Sequence, residues 1–513
     1  MKVVSVDQMR ELDIKTIEEA KIPGSVLMEK AGIGAGEKIL DYLEHVDFSH
    51  IKRFLLLAGR GNNGGDVYVT AKFLYENCNA DVVVYSVCPI CELKGDAKKY
   101  AEMLPEGIFV DVKAKLSVND FFKGDIIIDG LLGTGFSGAL RQPYDNWIAT
   151  INTLNLPVIA IDIPSGLNGD TGTVSKNAVR SDLTITIAQP KTGLIIGQGP
   201  EYCGQLEVVD IGIPESYIDE VYSELSLFTK IDAYPIVSRI PTNSHKKSLG
   251  SVLVIGGSVL YQGAPFLAGK AALRSGAGFV TVAIPESAGI VNQGIFSLIT
   301  RRISDSGTGF FSKESIPEIM KLAESADSIV IGPGMSSNKS CLQLLTEILT
   351  LDKAIIIDAD ALNLIAKTTE ILKNNSKYVF TPHPGEARRL SKGFGLDKGI
   401  EKDRILQAKI LQEKIGGTVI LKGHRTVIAA EKKPLSINGS GCPALATAGT
   451  GDVLTGMVAA NTAVGLNSFE AACLSAFVHG LASQIGNKGM RGLIADDLVD
   501  LIPTALKLLS PFA

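Results

Sequence analysis

Short apolar runs rich in β-branched residues recur along the whole chain, with helix-like stretches between them. The runs are continuously apolar instead of alternating, which is typical of strands buried on both faces of a mostly parallel sheet. The predicted strands are FLLLAG (54–59), DVVVYSV (81–87), DIIID (125–129), PVIAIDI (157–163), LTITIA (183–188), SVLVIGG (251–257), FVTVAI (279–284), SIVIGPG (328–334), AIIIDAD (354–360), YVFTP (378–382) and TVILKG (418–423). Each half of the chain is therefore expected to form a three-layer α/β/α domain.

A polar stretch, ESYIDEVYSELSLFTKIDAYPIVSRIPTNSHKKS, separates the two series of strands and contains no long strand. A chain of 513 residues is too long for one hydrophobic core. We predict two domains, residues 1–218 and 228–513, with the boundary near residues 218–230. The halves have no obvious internal repeat, so two different folds are expected.

The charge and the cysteines limit the kinds of partner. A formal net charge of -5 gives no electrostatic reason to expect a nucleic-acid or acidic-membrane partner. No apolar run approaches the roughly 18 residues that a membrane crossing needs, and MKVVSVDQMRELD does not resemble a signal peptide. Cys88 and Cys91 are the only closely spaced cysteine pair, and a zinc ribbon needs two such pairs. Cytoplasmic residence is expected.

The first glycine-rich turn, GRGNNGGD, follows a predicted strand and precedes a predicted helix. Residues 59–64 match GxGxxG. The dinucleotide-binding fingerprint also requires an acidic residue at the end of the next strand, but in this chain Asp81 lies at the start of that strand. No GK[ST] follows, so the turn is not a P-loop either. The turn nevertheless presents backbone N–H groups that can bind an anion. The side-chain oxygens of Asn62 and Asn63 could also bind a cation or a polar ring substituent.

Two further turns follow strands in the same way, DGLLGTGFSG and DIPSGLNGDTG. The carboxyl ends of parallel strands lie at one edge of a sheet, so Asp66, Asp129 and Asp162 are expected to converge on one cleft. Alternatively, each aspartate caps a helix or a turn, which is a common role for this residue.

In the second half, AIIIDADALN, FTPHPGEARRL and VILKGHRTVIA each place polar residues directly after a strand. The strongest signal is ATAGTGDVLTGM (446–457), which begins a helix of small and apolar residues. Its free N–H groups form an anion site at the positive end of the helix dipole. Asp452 would be repelled by a phosphate there unless it accepts the proton of a hydroxyl that attacks the terminal phosphate.

The combination GRGNNGGD, DGLLGTGFSG, DIPSGLNGDTG and PKTGL resembles the NAD(P)H-hydrate epimerases and covers residues 1–218. The resemblance implies a Rossmann-like domain with a K⁺ ion held by Asn63, Asp129 and Ser165. It also implies that the following residues contact the nucleotide substrate: Asn62, Asn63, Gly64, Gly65, Asp66, Gly133, Thr134, Gly135, Phe136, Ser137, Gly138, Ala139 and Asp162. Val67 departs from the family pattern NNGGDG, and its bulk is expected to narrow the turn.

Epimerisation is chemically reasonable for such a site. Water added across a double bond of the dihydronicotinamide ring leaves a hydroxyl, in R or S form, on the carbon beside the ring nitrogen. This hemiaminal can lose and regain its oxygen with help from the nitrogen lone pair and a positioned acid–base group. Asp162 is the candidate for that group.

From about residue 228 to the end, YQGAP, IGPG, DADALN, TPHPGE, LKGHRT and GTGD resemble the ribokinase-like, ADP- or ATP-dependent NAD(P)H-hydrate dehydratases. The resemblance implies Mg²⁺ with the nucleotide, and hydrated substrate at Ala264, Gly334, His383 and Asp452. The implied nucleotide-binding residues are Lys422, Gly423, His424, Arg425, Thr426, Gly449, Thr450 and Gly451. His383 has the alternative role of fixing its own turn, and His424 is expected to contribute only its backbone. Lys247 replaces a family glycine in an expected flap.

A kinase-like site suits dehydration because hydroxide is a poor leaving group, whereas phosphate can be expelled by the ring nitrogen. Repair of NADHX and NADPHX gives both domains a purpose, since the second needs the S form that the first supplies. A small-molecule kinase for a sugar or vitamin alcohol would leave the first domain unexplained. A non-catalytic nucleotide-binding scaffold would have no need for Asp129, Asp162 and Asp452. The apolar helix SFEAACLSAFVHGLA is compatible with a homo-oligomer interface.

Overall fold

The computed structural model describes residues 1–45, 51–237, 240–289, 294–396, 399–486 and 491–511. The chain forms two compact units, one of Lys2–Leu225 and one of Met1 with Ser226–Ala513. Each unit is built on its own sheet, and helices connect most of the parallel strands. The predicted α/β fold class is therefore confirmed in both halves of the chain.

The first unit has a parallel seven-stranded sheet in the order β3-β2-β1-β4-β5-β6-β7. Its strands are β1 (Arg53–Ala58), β2 (Asp81–Ser86), β3 (Phe109–Val112), β4 (Asp125–Gly130), β5 (Val158–Ile161), β6 (Leu183–Ile187) and β7 (Gln205–Val209). Its helices are α1 (Val6–Glu18), α2 (Gly24–His45), α3 (Asn62–Asn77), α4 (Gly95–Glu102), α5 (Tyr144–Ile151), α6 (Thr192–Ile195), α7 (Gly199–Cys203) and α8 (Glu215–Glu220).

The strand order places the functional turns of the first unit. Strand β1 has β2 on one side and β4 on the other, so the chain reverses its winding direction there. The six residues of β4 are all buried, and Trp147 of α5 is fully buried in the same core. Ligands of open parallel sheets bind outside the carboxyl ends of strands at such a reversal. The turns after β1, β4 and β5 lie at that edge.

The second unit has a ten-stranded sheet in the order β11-β10-β9-β12-β13-β14-β15-β16-β17-β8. Its strands are β8 (Leu225–Phe228), β9 (Ser251–Ile255), β10 (Phe279–Pro285), β11 (Ile299–Ile303), β12 (Ser328–Ile331), β13 (Ala354–Ile357), β14 (Tyr378–Phe380), β15 (Thr418–Leu421), β16 (Val427–Ala430) and β17 (Leu435–Asn438). Its helices are α9 (Lys230–Ala233), α10 (Ala264–Arg274), α11 (Ile316–Ser325), α12 (Lys339–Ile348), α13 (Ala359–Lys367), α14 (Pro384–Gly393), α15 (Arg404–Ile415), α16 (Thr450–Ala463), α17 (Ser468–Ile485) and α18 (Ala495–Leu509).

The second sheet also reverses its winding, because β9 lies between β10 and β12. Strands β9 to β15 pair in parallel, whereas β16 and β17 add an antiparallel extension. Helix α16 packs its small residues against α10, where a Cβ on Gly456 would lie 2.0 Å from the Ala268 carbonyl oxygen. This close packing fixes the start of α16 near the carboxyl ends of the strands.

Every predicted run contains a strand, but several strands end earlier than predicted because the glycines and aspartates that follow lie in turns. Strands β3, β7, β8, β11, β16 and β17 were not predicted. Of these, the short strand β8 lies inside the polar stretch where the domain boundary was predicted. In the described part of the chain, no helix combines the length and apolar character that crossing a membrane requires.

Candidate active sites

A cavity of about 840 Å³ lies in the first unit. Helix α1 and the turns that follow β1, β4 and β5 contribute to its wall. The lining includes most of the predicted substrate contacts, namely Asn62, Asn63, Asp66, Gly133, Thr134, Gly135, Phe136, Ser137, Gly138, Ala139 and Asp162. The structure thus brings the three glycine-rich motifs together in one site.

Glycines after β1 allow the backbone of α3 to approach this turn closely. A Cβ on Gly64 would lie 2.0 Å from the Gly59 carbonyl oxygen, and one on Gly65 would lie 2.6 Å from the Met28 side chain. Val67 is fully buried and points toward Gly130 on β4, where an added Cβ would lie 2.0 Å from Val67 Cγ2. The Val67 side chain thus packs in the core and is not part of the cavity lining, and its effect on the width of the turn stays a prediction.

The three predicted K⁺ ligands lie around Leu132. Asn63 Nδ2 donates to the carbonyl oxygens of Leu132 and Ile161, at 3.0 and 3.1 Å, but the buried Asn63 Oδ1 has no hydrogen-bond partner among the described residues. Ser165 donates to Asp129 from both its N–H and its hydroxyl, at 2.8 and 2.7 Å. Burial raises the pKa of Asp129 to about 6, although these hydrogen bonds lower it.

Asp162 follows β5 with φ of 65°, a left-handed conformation that aspartate tolerates better than most residues. Lys191 is 1 % exposed, and its Nζ donates to Asp162 Oδ1 at 2.5 Å and to the Ile187 carbonyl oxygen at 2.7 Å. The other oxygen, Oδ2, lies toward Gly133, 3.5 Å from where a Cβ on that glycine would stand. Asp162 is thus held on one side and faces a cavity-lining turn on the other.

Two features of this cavity were missed from the sequence, the role of Lys191 and the presence of Asp13. Asp13 lies on α1, and burial raises its pKa to about 6, with Asp162 adding to the effect and Lys191 opposing it. Burial and the neighbouring Asp162 likewise raise the pKa of Asp66. Lys191 lies in the PKTGL motif, which the sequence did indicate as part of the first site. Asp13 is indistinguishable in sequence from a surface aspartate of an amphipathic helix.

The second site lies at the start of α16. Gly449 precedes the helix with φ of 88°, a conformation that favours glycine, and Asp452 lies in the first turn. Lys422, which follows β15, reaches the same turn, because a Cβ on Gly451 would lie 3.2 Å from Lys422 Nζ. The structure therefore brings the predicted nucleotide residues Lys422 and Gly449 to Gly451 together with Asp452.

Carboxyl groups surround the Lys422 ammonium. Lys422 Nζ donates to Asp358 Oδ1 at 2.9 Å, and Thr455 donates its hydroxyl to Asp358 Oδ2 at 2.7 Å. Burial raises the pKa of Asp452 to about 7; the negative charges of Asp358 and Glu386 add to this effect and Lys422 opposes it. A carboxyl with a pKa near the working pH is well suited to accept a proton.

Arg404 stabilises the backbone of the loop that follows β15. Its guanidinium donates to the carbonyl oxygens of Leu421, Lys422 and His424. His424 thus uses its backbone in the protein, and burial lowers the pKa of its ring to about 4. Arg425 follows with φ of 53°, so the loop has a defined and unusual backbone path.

Two predicted substrate contacts, Ala264 and Gly334, are neighbours: a Cβ on Gly334 would lie 3.6 Å from that of Ala264. His383 caps α14, with Nδ1 accepting from the Gly385 N–H at 3.0 Å and its own N–H donating to Glu386 at 2.9 Å. This is the alternative role considered for His383, although its side chain remains 51 % exposed. Lys247 is exposed on a turn.

Two α/β units, each with charged groups beside a glycine-rich turn at the start of a helix, define a two-domain enzyme. A family model described as NAD(P)H-hydrate dehydratase matches residues 252–504. Another, described as YjeF-related protein N-terminus, matches residues 24–193.

The chain is also similar to named relatives over almost its full length. It is 35% identical to the bifunctional NAD(P)H-hydrate repair enzyme Nnr of Moorella thermoacetica, over 99% of this chain and 97% of that protein. It is 35% identical to the protein of the same name from Coxiella burnetii, over 96% of each. The chain belongs to the family of bifunctional NAD(P)H-hydrate repair enzymes, as its motifs predicted.

Among solved structures, the chain is similar to an ADP/ATP-dependent NAD(P)H-hydrate dehydratase from Bacillus subtilis co-crystallized with ATP/Mg²⁺. The two are 27% identical, with a TM-score of 0.47, and the match covers 55% of this chain and 98% of that one.

Proposed function

We propose that this chain repairs hydrated NADH and NADPH with two active sites. Residues 1–218 interconvert R- and S-NAD(P)HX, and residues 228–513 dehydrate the S form at the expense of ADP or ATP. The observation that carries the proposal is Asp452, a carboxyl with a pKa near 7 that lies beside Lys422 in the first turn of α16. A phosphoryl-transfer site needs these parts, a base next to a cation and free N–H groups.

In the epimerase site, Asp162 assists the departure and return of the hydroxyl on the carbon beside the ring nitrogen. The nitrogen lone pair forms a C=N bond as the C–O bond breaks, and the leaving oxygen receives a proton. Water then adds to the other face of the ring and gives up a proton. Lys191 holds Asp162 Oδ1, so Oδ2 is the atom oriented for these transfers.

In the dehydratase site, the ring hydroxyl attacks the terminal phosphate of the nucleotide while Asp452 accepts its proton. The new O–P bond forms as the bond to the shortened nucleotide breaks. The ring nitrogen then expels the phosphate, and the neighbouring carbon loses a proton, which restores the ring double bond. The products are NAD(P)H, phosphate and ADP, or AMP when ADP is the donor.

The nucleotide is proposed to bind at Lys422 to Thr426 and Gly449 to Gly451, with the hydrated ring at Ala264, Gly334 and His383. The described residues contain no cluster of three or more acidic, histidine or cysteine side chains arranged for a metal. Mg²⁺ is proposed to bind together with the nucleotide, on its phosphates, and would supply positive charge for phosphoryl transfer. Residence in the cytoplasm, and small molecules as the only ligands, belong to the same proposal.

The first site fits K⁺. Asn63 Oδ1 is a buried oxygen without a hydrogen-bond partner among the described residues. The Asn63 side chain is linked to Asp129 by hydrogen bonds that pass through Leu132 and Ser165. Asn63, Asp129 and Ser165 would hold the ion. When bound, it supplies a positive charge that orders the turns after β1, β4 and β5.

Asp129→Asn is expected to weaken the K⁺ dependence of epimerisation, because it keeps the shape of the side chain and removes the charge. We expect the half-saturating K⁺ concentration to rise roughly tenfold, which corresponds to about 1.4 kcal/mol of lost attraction. The measurement is the R-to-S exchange rate against K⁺, with dehydration of the S form as a control that stays unchanged. An unaltered K⁺ response would show that the metal assignment is wrong.

Division of the chain tests the two-domain proposal. Because β8 pairs in the second sheet, we expect residues 1–223 and 224–513 to fold separately, as judged by cooperative thermal unfolding. The first piece should epimerise without nucleotide, and the second should consume only the S form. A C-terminal piece that consumed the R form at full rate would remove the need for the proposed epimerase.

A further inference from the structure

Asp358 is a buried carboxylate in the second unit that the proposed mechanism does not use. It follows β13, is 2 % exposed and precedes α13 without capping it through its side chain. Its oxygens instead bind two elements far away in the sequence. Oδ1 accepts from Lys422, after β15, and Oδ2 accepts from Thr455 on α16.

These bonds tie the Lys422 ammonium to the beginning of α16. The Thr455 hydroxyl also contacts the Gly451 carbonyl oxygen, at 3.0 Å, so Thr455 belongs to the same helical turn as Gly451. Lys422 Nζ lies beside Gly451. Asp358 therefore links the cation and the helical turn that together form the proposed phosphate site.

We propose that Asp358 is a positioning residue for dehydration, which holds the Lys422 ammonium at the first turn of α16, beside Asp452. The inference rests on the proposed dehydratase function. Asp358 is not proposed to contact the substrate or the nucleotide. It acts on Asp452 indirectly, by holding Lys422 and by its own negative charge.

The charges around Asp452 give the direction of this effect. Asp358 at the end of β13 and Glu386 on α14 are negative neighbours that raise the pKa of Asp452, after burial as the main cause. Lys422 is the positive neighbour that lowers it. Nearby are two histidines: His383, whose pKa burial and Lys422 lower, and His479 on α17, which contacts the Thr450 carbonyl oxygen and whose pKa burial lowers to about 4.

Because both histidines are neutral at neutral pH, the charged groups that affect the ionisation of Asp452 are Asp358, Glu386 and Lys422. Loss of the charge on Asp358 removes a like charge whose effect on the pKa of Asp452 is larger than the opposing effect of Lys422. The ionised form of Asp452 is therefore favoured even when Lys422 is held less firmly. The acid limb of the rate profile must then move to lower pH.

The test is the pH dependence of kcat/KM for nucleotide-dependent dehydration of S-NADHX, followed by the return of reduced nicotinamide absorbance. For Asp358→Asn we expect the acid limb to move about one pH unit lower. We also expect kcat to fall roughly tenfold, because Lys422 is no longer held in place. Asp352→Asn, an 83 % exposed carboxylate on the turn before the same strand, should leave the profile unchanged.

Two variants of Thr455 test the positioning role of Asp358 even if Asp358→Asn fails to fold. Thr455→Val keeps the shape but removes the hydrogen bond to Asp358 and should lower kcat severalfold, whereas Thr455→Ser keeps the bond and should behave as wild type. An acid limb that stays in place or moves to higher pH in Asp358→Asn would overturn the inference. So would indistinguishable Thr455 variants. A wild-type protein without nucleotide-dependent dehydration would instead refute the proposed function.

Discussion

Asp452→Asn is expected to fold, to bind ADP or ATP and to epimerise normally, while dehydration of S-NAD(P)HX falls by roughly 10²–10⁴-fold. Asparagine preserves the size of the side chain in the first turn of α16 but cannot accept the hydroxyl proton. The loss should therefore appear in kcat, with nucleotide binding by calorimetry little changed. Glu318→Gln, in the exposed first turn of α11, serves as the control for loss of a helix-terminal charge.

Stability separates this result from damage to the fold. Because the pKa of Asp452 is raised to about 7 in the folded protein, its ionisation opposes folding, and the stability present at low pH is lost as pH rises through 7. The asparagine variant lacks that loss, so its Tm above pH 7 should equal or exceed that of wild type. Near-normal dehydration would assign the base to another residue, and lost nucleotide binding would make Asp452 a structural cap.

Asp162→Asn is expected to lower epimerisation by roughly 10²–10⁴-fold and to leave dehydration of the S form intact. Asparagine tolerates the left-handed backbone at this position but cannot transfer the proton. The change also leaves the buried Lys191 ammonium without its partner, and breaking a buried ion pair costs about 3–5 kcal/mol. A lower Tm is therefore part of the expected result.

The double variant Asp162→Asn with Lys191→Met distinguishes chemistry from stability. Removal of both charges should recover much of the lost Tm, because an unpaired buried charge no longer remains. Epimerisation, measured as exchange between R- and S-NADHX without nucleotide, should stay low. Recovery of epimerisation together with Tm would show that Asp162 acts only through the stability of the fold.

The parts of the fold that were predictable are those with a local signature. Continuously apolar runs identify buried parallel strands, so the core strands of both sheets were found from residues close together in sequence. Strand β3 (FVDV) and strand β11 (ITRRI) carry exposed or charged residues at the edges of their sheets, where that signature is absent. Strands β16 and β17 form a short hairpin whose pairing depends on its neighbours.

The sites divide in the same way. Glycine-rich turns, one after β5 and one at the start of α16, pointed to Asp162 and Asp452, because the turn and the residue lie in one motif. The motif DADALN placed Asp358 after a strand, but its partners could not be found from sequence, since they stand 64 and 97 residues away and only the folded sheet brings them together. The capping role of His383 depends on the local sequence and is seen in the structure, whereas its contact with substrate stays a prediction.

The central claim, nucleotide-dependent repair of a hydrated nicotinamide, is tested by incubating the full-length protein with mixed R- and S-NADHX. ADP or ATP is added in turn, and the return of reduced nicotinamide absorbance is followed. The account predicts that both epimers are consumed to completion with at least one nucleotide, and that without nucleotide they exchange but give no NADH. Nucleotide turnover on simple alcohols with no NADHX consumed would contradict it and would identify a small-molecule kinase instead.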